Sequence, residues 1–199
     1  MKKLSLTIAF CLAVSSPVFA AQSSYTKLNF STDCVFAVPE SEEEAGMGAT
    51  GICEIDNRPT IYYESGDLRE SLGFGAAKPF ETFSAWNSVN NVVEWRADDN
   101  GVIYAAIIRY FIDNPNPDTG MLDKASRGQV LVVNKVAQFA DDSSCVVGMV
   151  DPRANINGNQ MARDLADRDI DLFNCAEDMP MYFGVQGQYA ADFSKSFGE

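Results

Sequence analysis

Apolar and polar residues alternate in short runs along most of this chain, and Gly-, Pro- and Asp-rich breaks separate the runs. Alternation with a period of two predicts half-buried strands rather than helices. A first strand opens over residues 25–30. CVFAV at 34–38 reads as a strand that stops at Pro39, and a charged, glycine-rich loop, PESEEEAGMGATG, follows it. PTIYY at 59–63 is the next strand, by its β-branched and aromatic content. Pro39 and the turn residues around it act as breakers, because proline cannot continue a ladder.

Residues 79–91 carry a different rhythm. Pro79 suits a first helical position, and Phe80, Phe83 and Trp86 follow at helical spacing. That spacing predicts a short helix. Next, VVEWRA and VIYAAIIRYFI flank Asp98-Asp99-Asn100-Gly101, and an Asn-Gly pair between two strand-like runs predicts a hairpin. The second run is apolar on both faces, which places it centrally in a sheet. Residues 113–128 are a Pro-, Gly- and Asp-rich connection. Residues 129–139, with VLVVNKV, form another strand apolar on both faces, and 145–150 the last strand.

From Cys145 to Cys175 the pattern reads strand, loop, helix. The strand climbs about 20 Å at ~3.3 Å per residue. A helix over 160–174 returns about 21 Å at ~1.5 Å per residue, so Cys175 arrives beside Cys145. Asn159 is the expected N-cap. Ala162, Leu165, Ala166, Leu172 and Phe173 form the expected buried stripe. Arg163 with Asp167 and Asp164 with Arg168 are expected as i,i+4 pairs on the outer face. Asp169 falls inside the stripe, where Arg109 or Arg96 is its expected partner. A calcium loop fails on register. With Gly158 at the sixth position, Arg153 becomes the first ligand, and only Asp164 supplies a carboxylate. No metal or cofactor is expected.

The ends and the composition set the compartment. Lys2 and Lys3, a short apolar run and Val18-Phe19-Ala20 make residues 1–20 an expected signal peptide. Phe10 before Cys11 argues against lipidation. Of five cysteines, Cys11 would leave with the signal, and four would remain in an oxidising compartment. The expected bridges are Cys34–Cys53 and Cys145–Cys175, neither with the spacing of a redox or zinc motif. The chain has 15 basic and 28 acidic residues, a net −13. Such a surface repels nucleic acid and anionic lipid, and the expected partner is a basic or envelope protein. The expected location is the periplasm, with no membrane insertion after signal cleavage.

Catalytic chemistry has few carriers here. There is no histidine, which excludes Ser-His-Asp and Cys-His arrangements. No nucleophile elbow, P-loop or dinucleotide fingerprint is present. Two clusters remain. Glu64-Ser65-Gly66-Asp67-Leu68-Arg69-Glu70 offers Asp67 and Arg69 beside a glycine turn. On the VVEWRA strand, Glu94 and Arg96 share one face, and Arg109 on the partner strand is a half-buried cation for which Glu94 is the expected partner. The leading expectation is a non-catalytic binding or interaction protein. The alternative is a carboxylate-based hydrolase of an envelope polymer, built on Glu94 or Asp67.

The elements GDLRE with GFG, FSAWNSVNNVVEWR, IIRYFIDN, GQVLVVNKV and SCVVGMVDPRANINGNQMARDLAD with a closing cysteine together resemble a family of small exported proteins of alpha-proteobacteria with no assigned activity. The resemblance covers roughly residues 25–176 and implies export and a bacterial source, not a reaction. The expected fold is α+β: an antiparallel sheet of five or six strands with a C-terminal helix on one face, stapled by disulfides. Residues 21–176 form the expected domain, and 177–199 an expected loosely ordered extension.

Overall fold

The computed structural model describes residues 21–138 and 143–195. The expected signal peptide at 1–20 lies outside the described residues. In chain order the elements are β1 (Gln22–Lys27), α1 (Phe30–Asp33), β2 (Cys34–Phe36), α2 (Glu42–Ala45), β3 (Ala49–Cys53), β4 (Ile61–Gly66), β5 (Arg69–Phe74), β6 (Thr82–Phe83), β7 (Asn87–Ala97), β8 (Ile103–Ile112), β9 (Gly128–Lys135), β10 (Cys145–Val150), α3 (Gly158–Asp169), β11 (Met181–Tyr182) and β12 (Phe193–Ser194). They make a six-stranded sheet ordered β1-β7-β8-β9-β10-β11, a four-stranded sheet ordered β2-β3-β4-β5, and a small pair, β12-β6. The fold is α+β, with sheets that are antiparallel except for the β10–β11 pair, and α3 on one face of the larger one.

The larger sheet is the middle of three layers, and this explains its composition. Val93, Trp95, Ala106, Ile108, Tyr110, Val130 and Val132 face the four-stranded sheet and pack with Ile61, Leu72 and Phe74. Ala105, Ile107, Leu131 and Val133 face the other way and pack with Ala162, Leu165 and Ala166 of α3. β8 and β9 are covered on both sides, so both of their faces are apolar. The β7–β8 hairpin forms where the Asn-Gly pair stands. Asp98 Oδ1 accepts from the amides of Asn100 and Val102 at 2.9 and 2.8 Å.

Both disulfides join the expected cysteines. Cys34 and Cys53 lie directly opposite each other on β2 and β3, 19 residues apart in sequence. Cys145 and Cys175 are 30 residues apart and tie the start of β10 to the chain beyond α3. A bridge closing a loop of this size contributes roughly 3 kcal/mol.

Several local expectations need correction. Residues 79–91 are not a helix: they hold β6 and the start of β7. The β-branched residues of NSVNNVVEWRA favour extended backbone. Thr82 donates its hydroxyl to Glu70 O at 2.8 Å, and Asn87 bonds Thr82 and Ala85 O, which fixes non-helical turns. Helix α3 ends at Asp169, five residues before the expected Asn174. Leu172 is consequently exposed, and Ile170 takes its place in the stripe. The N-cap position is Asn157, not Asn159. The i,i+4 pairs do not form. Arg168 binds Asp169 at 2.6 Å, and Arg163 and Asp167 turn instead to β7.

Residues 177–195 differ from a loose extension. β11 adds to β10 in parallel, and β12 pairs with β6. The DPRANINGN loop docks this segment. Asn155 donates to Val185 O at 2.8 Å and accepts from Val185 N at 3.0 Å, and Asp151 accepts from Gly187 N at 3.0 Å. Gly184 sits at φ +88°, and a Cβ there would meet Asn155 Oδ1 at 2.5 Å, so only glycine allows the clip to close. Among the described residues no helix is long and apolar enough to cross a membrane.

Candidate functional site

The candidates Glu94 and Arg96 lie on the α3 side of the larger sheet, where the helix takes up both. Arg96 is buried and meets Asp167 twice, at 2.9 and 2.5 Å. It also donates to Ser23 Oγ at 2.6 Å. Burial opposes the charge on Arg96, but the hydrogen bonds and field of Asp167 outweigh it and raise the pKa of the guanidinium. Tyr104 donates to Asp167 at 2.7 Å. Burial, reinforced by that carboxylate, raises the Tyr104 phenol. Glu94 receives Arg163 at 2.6 Å and Ser23 Oγ at 2.5 Å. Arg109 does not find Glu94: it donates to Gln129 at 2.7 Å and Asn159 at 3.3 Å. Burial lowers the pKa of this guanidinium. An open cleft of about 810 Å³ borders the cluster, lined by Asp98, Asp99, Tyr104, Gln160 and Asp171 among others. Its two arginines are already engaged, so the arrangement is a seam that holds α3 to β1, β7 and β8.

Asp67 and Arg69 stand elsewhere, at the tip of the β4–β5 hairpin, and pair with each other. Gly66 pairs with Arg69, which leaves Asp67 and Leu68 as a two-residue turn with φ of 48° and 58°. Both central residues are left-handed, as a type I′ turn demands. The structure therefore brings Glu94 and Arg96 into one network and leaves Asp67 with Arg69 on the other sheet. Just below the tip, Glu70 accepts from Tyr63 Oη at 3.0 Å and from Val89 N at 2.6 Å, which links the two sheets. Burial is the main reason the Tyr63 phenol is pushed up to about 12.

Two of the exposed apolar side chains, Val35 and Ile52, lie side by side on the outer face of the four-stranded sheet. The ladder registers set two rows across it. Val35, Ile52, Tyr62 and Gly73 form one, and Ala37, Thr50, Glu64 and Ser71 the other. They line a groove of about 550 Å³, walled at one end by Ala77 and Lys78. Val35 is 79% and Ile52 47% exposed, unusual for such residues side by side on one sheet face. Gly73 lets the segment that carries this wall pack close on the sheet, because a Cβ there would meet Ala76 O at 2.7 Å. Lys78 is spoken for: its ammonium binds Ser71 Oγ at 3.0 Å and Glu81 at 3.1 Å. Burial lowers the Lys78 pKa, and Glu81 acts against that shift.

β2 forms the free edge of this sheet. Ala37 N donates to Thr50 O at 2.9 Å, and Glu54 N to Asp33 O at 3.0 Å, so the odd-numbered residues face β3. The amide and carbonyl of Phe36 point to the open side, and Val38 follows just past the strand. No backbone bond engages them among the described residues. Val38 is 88% exposed. Asp33 precedes the edge, and Glu40, Glu42, Glu43 and Glu44 follow it. The sequence held a signal for this surface. CVFAV and ATGIC carry apolar residues at both alternating positions, yet lie outside the central strands.

Among the described residues no group of three or more acidic, cysteine or histidine side chains is placed to hold a metal ion. Compared with protein-family profiles, curated proteins and solved structures, the chain finds no match.

Proposed function

We propose that this is an exported, non-catalytic binding module of the periplasm that engages a basic, extended segment of a protein partner by strand addition to β2. The observation that carries the proposal is the open edge at Phe36 and Val38, apolar beside the groove and acidic at both ends. An edge with unpaired amides and carbonyls is a template for another strand. The acidic flanks also decide which strand. In an antiparallel pairing of two β2 edges, Glu40 of one copy would approach Asp33 of the other, and like charges repel. A basic segment meets attraction at both ends. β1 is an edge too, but around the single exposed aromatic Tyr25 it presents Gln22, Ser23, Ser24 and Lys27, with no apolar row to extend.

Export is supported by the two disulfides, which persist in oxidising compartments. The hydrolase alternative draws no support from Glu94, whose carboxylate is engaged by Arg163 and Ser23.

The test is the heptapeptide Lys-Val-Lys-Val-Lys-Val-Lys, blocked at both ends, against the same peptide N-methylated at alternate residues. Strand addition predicts saturable binding that weakens with salt. It also predicts at least roughly tenfold loss on methylation along the edge facing β2, since each methyl removes a ladder donor. Equal binding of the two peptides, or none, contradicts the proposal.

A further inference from the structure

The second row of the groove contains a carboxylate with no assigned task. Glu64 is half-buried between Thr50 and Ser71. It lines both the 550 Å³ groove and an adjoining hollow of about 230 Å³ formed with Val38, Glu44 and Met47. No hydrogen bond or ion pair engages its side chain among the described residues. Lys78 is near enough for Glu64 to favour its charge, but its ammonium is held by Ser71 and Glu81. A carboxylate half withdrawn from water beside an apolar floor, with the local cation already committed, is a specificity element for an incoming cation.

We infer that the groove binds a small organic amine: an apolar body on Val35, Ile52 and Tyr62, with its ammonium on Glu64. The spacing sets the ligand's dimensions. Tyr62 and Glu64 are two residues apart on β4, about 6.6 Å along the strand. The ammonium therefore sits about that far from the centre of the apolar body. A groove of 550 Å³ falls in the range of small-molecule sites. This site uses side chains of the sheet face, not the backbone of β2, so it stands or falls apart from strand addition.

The experiment is a titration of the ¹⁵N-labelled full-length mature protein with 3-phenylpropylamine and, separately, with the uncharged isostere 3-phenyl-1-propanol. The expected result is saturable shifts of the Ile52, Tyr62 and Glu64 amides with the amine. Affinity should be about tenfold or more weaker for the alcohol and for the amine with Glu64→Gln, the effect of losing one charge-assisted hydrogen bond. An unchanged melting temperature in Glu64→Gln shows that the fold is kept. Should that variant unfold, Glu64→Asp, which withdraws the carboxylate by one methylene, must weaken the amine more than the alcohol. Equal binding of amine and alcohol overturns the inference. So does binding indifferent to Glu64, shifts that map to Asp98 and Asp171 instead, or no binding of either compound.

Discussion

The pair formed by Arg96 and Asp167 shows how a single contact is chosen over a plausible rival. On the sequence, Arg163 and Asp167 are one turn apart and suit each other. An exposed pair of that kind contributes only about 0.3–0.5 kcal/mol. At the helix–sheet seam, Arg96 is almost wholly out of water, its side chain 6% exposed, and Asp167 is 33% exposed. There a carboxylate is needed to offset the desolvation of the guanidinium. Asp167→Asn should cost about 2–3 kcal/mol in chemical denaturation. That is less than the ~3–5 of a fully buried pair, because Asp167 keeps some water. A cost under about 0.5 kcal/mol would mean the seam is ornamental. The charges at this site were legible in the sequence. Their partners were not, because pairing depends on which edge of α3 meets β7. Asp98 gives a titration test. Its carboxyl is held below the free value of 3.8, chiefly by the Val102 amide. A depressed folded value contributes stability above the unfolded pKa, lost as pH falls through the folded one. From pH 7 down to about pH 3, wild type should lose more melting temperature than Asp98→Asn.

At the scale of elements, strands and hairpins were legible where alternation or an Asn-Gly pair marked them. β7–β8 stands where that pair predicts it. A turn beside Gly66 and the Asp67–Arg69 pair were legible, but the return strand β5 was not, because the turn residues Asp67 and Leu68 carry neither glycine nor asparagine at the left-handed positions that mark a hairpin. Leu68 is 68% exposed and gains little packing for its strained backbone. Leu68→Gly should therefore stabilise the protein by roughly 1 kcal/mol, read as a rise in the denaturation midpoint. A loss would show that the leucine side chain matters more than its φ. The segment 79–91 was misread because Phe80, Phe83 and Trp86 mimic a helical stripe, although Trp86 is exposed. Its side-chain hydrogen bonds run to Glu70 on β5, 12 and 17 residues away, beyond the reach of a helical pattern. Residues 184–187 are held by Asn155 and Asp151. Asn155→Ala should cost about 1–2 kcal/mol and speed proteolysis near Gly184.

For the whole molecule, the sequence foretold a sheet with a helix on one face and both disulfides. It did not reveal the second sheet as a separate layer. The strands of that sheet are short, and only long-range packing of Leu72 and Phe74 against Trp95 shows where they go. The candidate site was less legible still. Attention falls on charged residues, and here most of them are committed to structure, whereas the open surface is apolar. The two disulfides divide along the same line. Cys34–Cys53 fixes the free edge β2, and Cys145–Cys175 fixes the helix layer. Replacing either pair with serine should cost about 3 kcal/mol. Only the Cys34→Ser, Cys53→Ser variant should lose the basic peptide. Loss of binding in both variants at temperatures where both are folded would contradict this division.

Strand addition to β2 is tested most directly by amide hydrogen exchange at Phe36 and Val38, with and without the Lys-Val heptapeptide. Neither amide has a backbone acceptor among the described residues, and both should exchange fast in the free protein. Bound peptide should slow them at least tenfold, as a new ladder forms, and leave Ser23 and Tyr25 on β1 unchanged. Unaltered exchange at Phe36 and Val38 under saturating peptide would contradict strand addition.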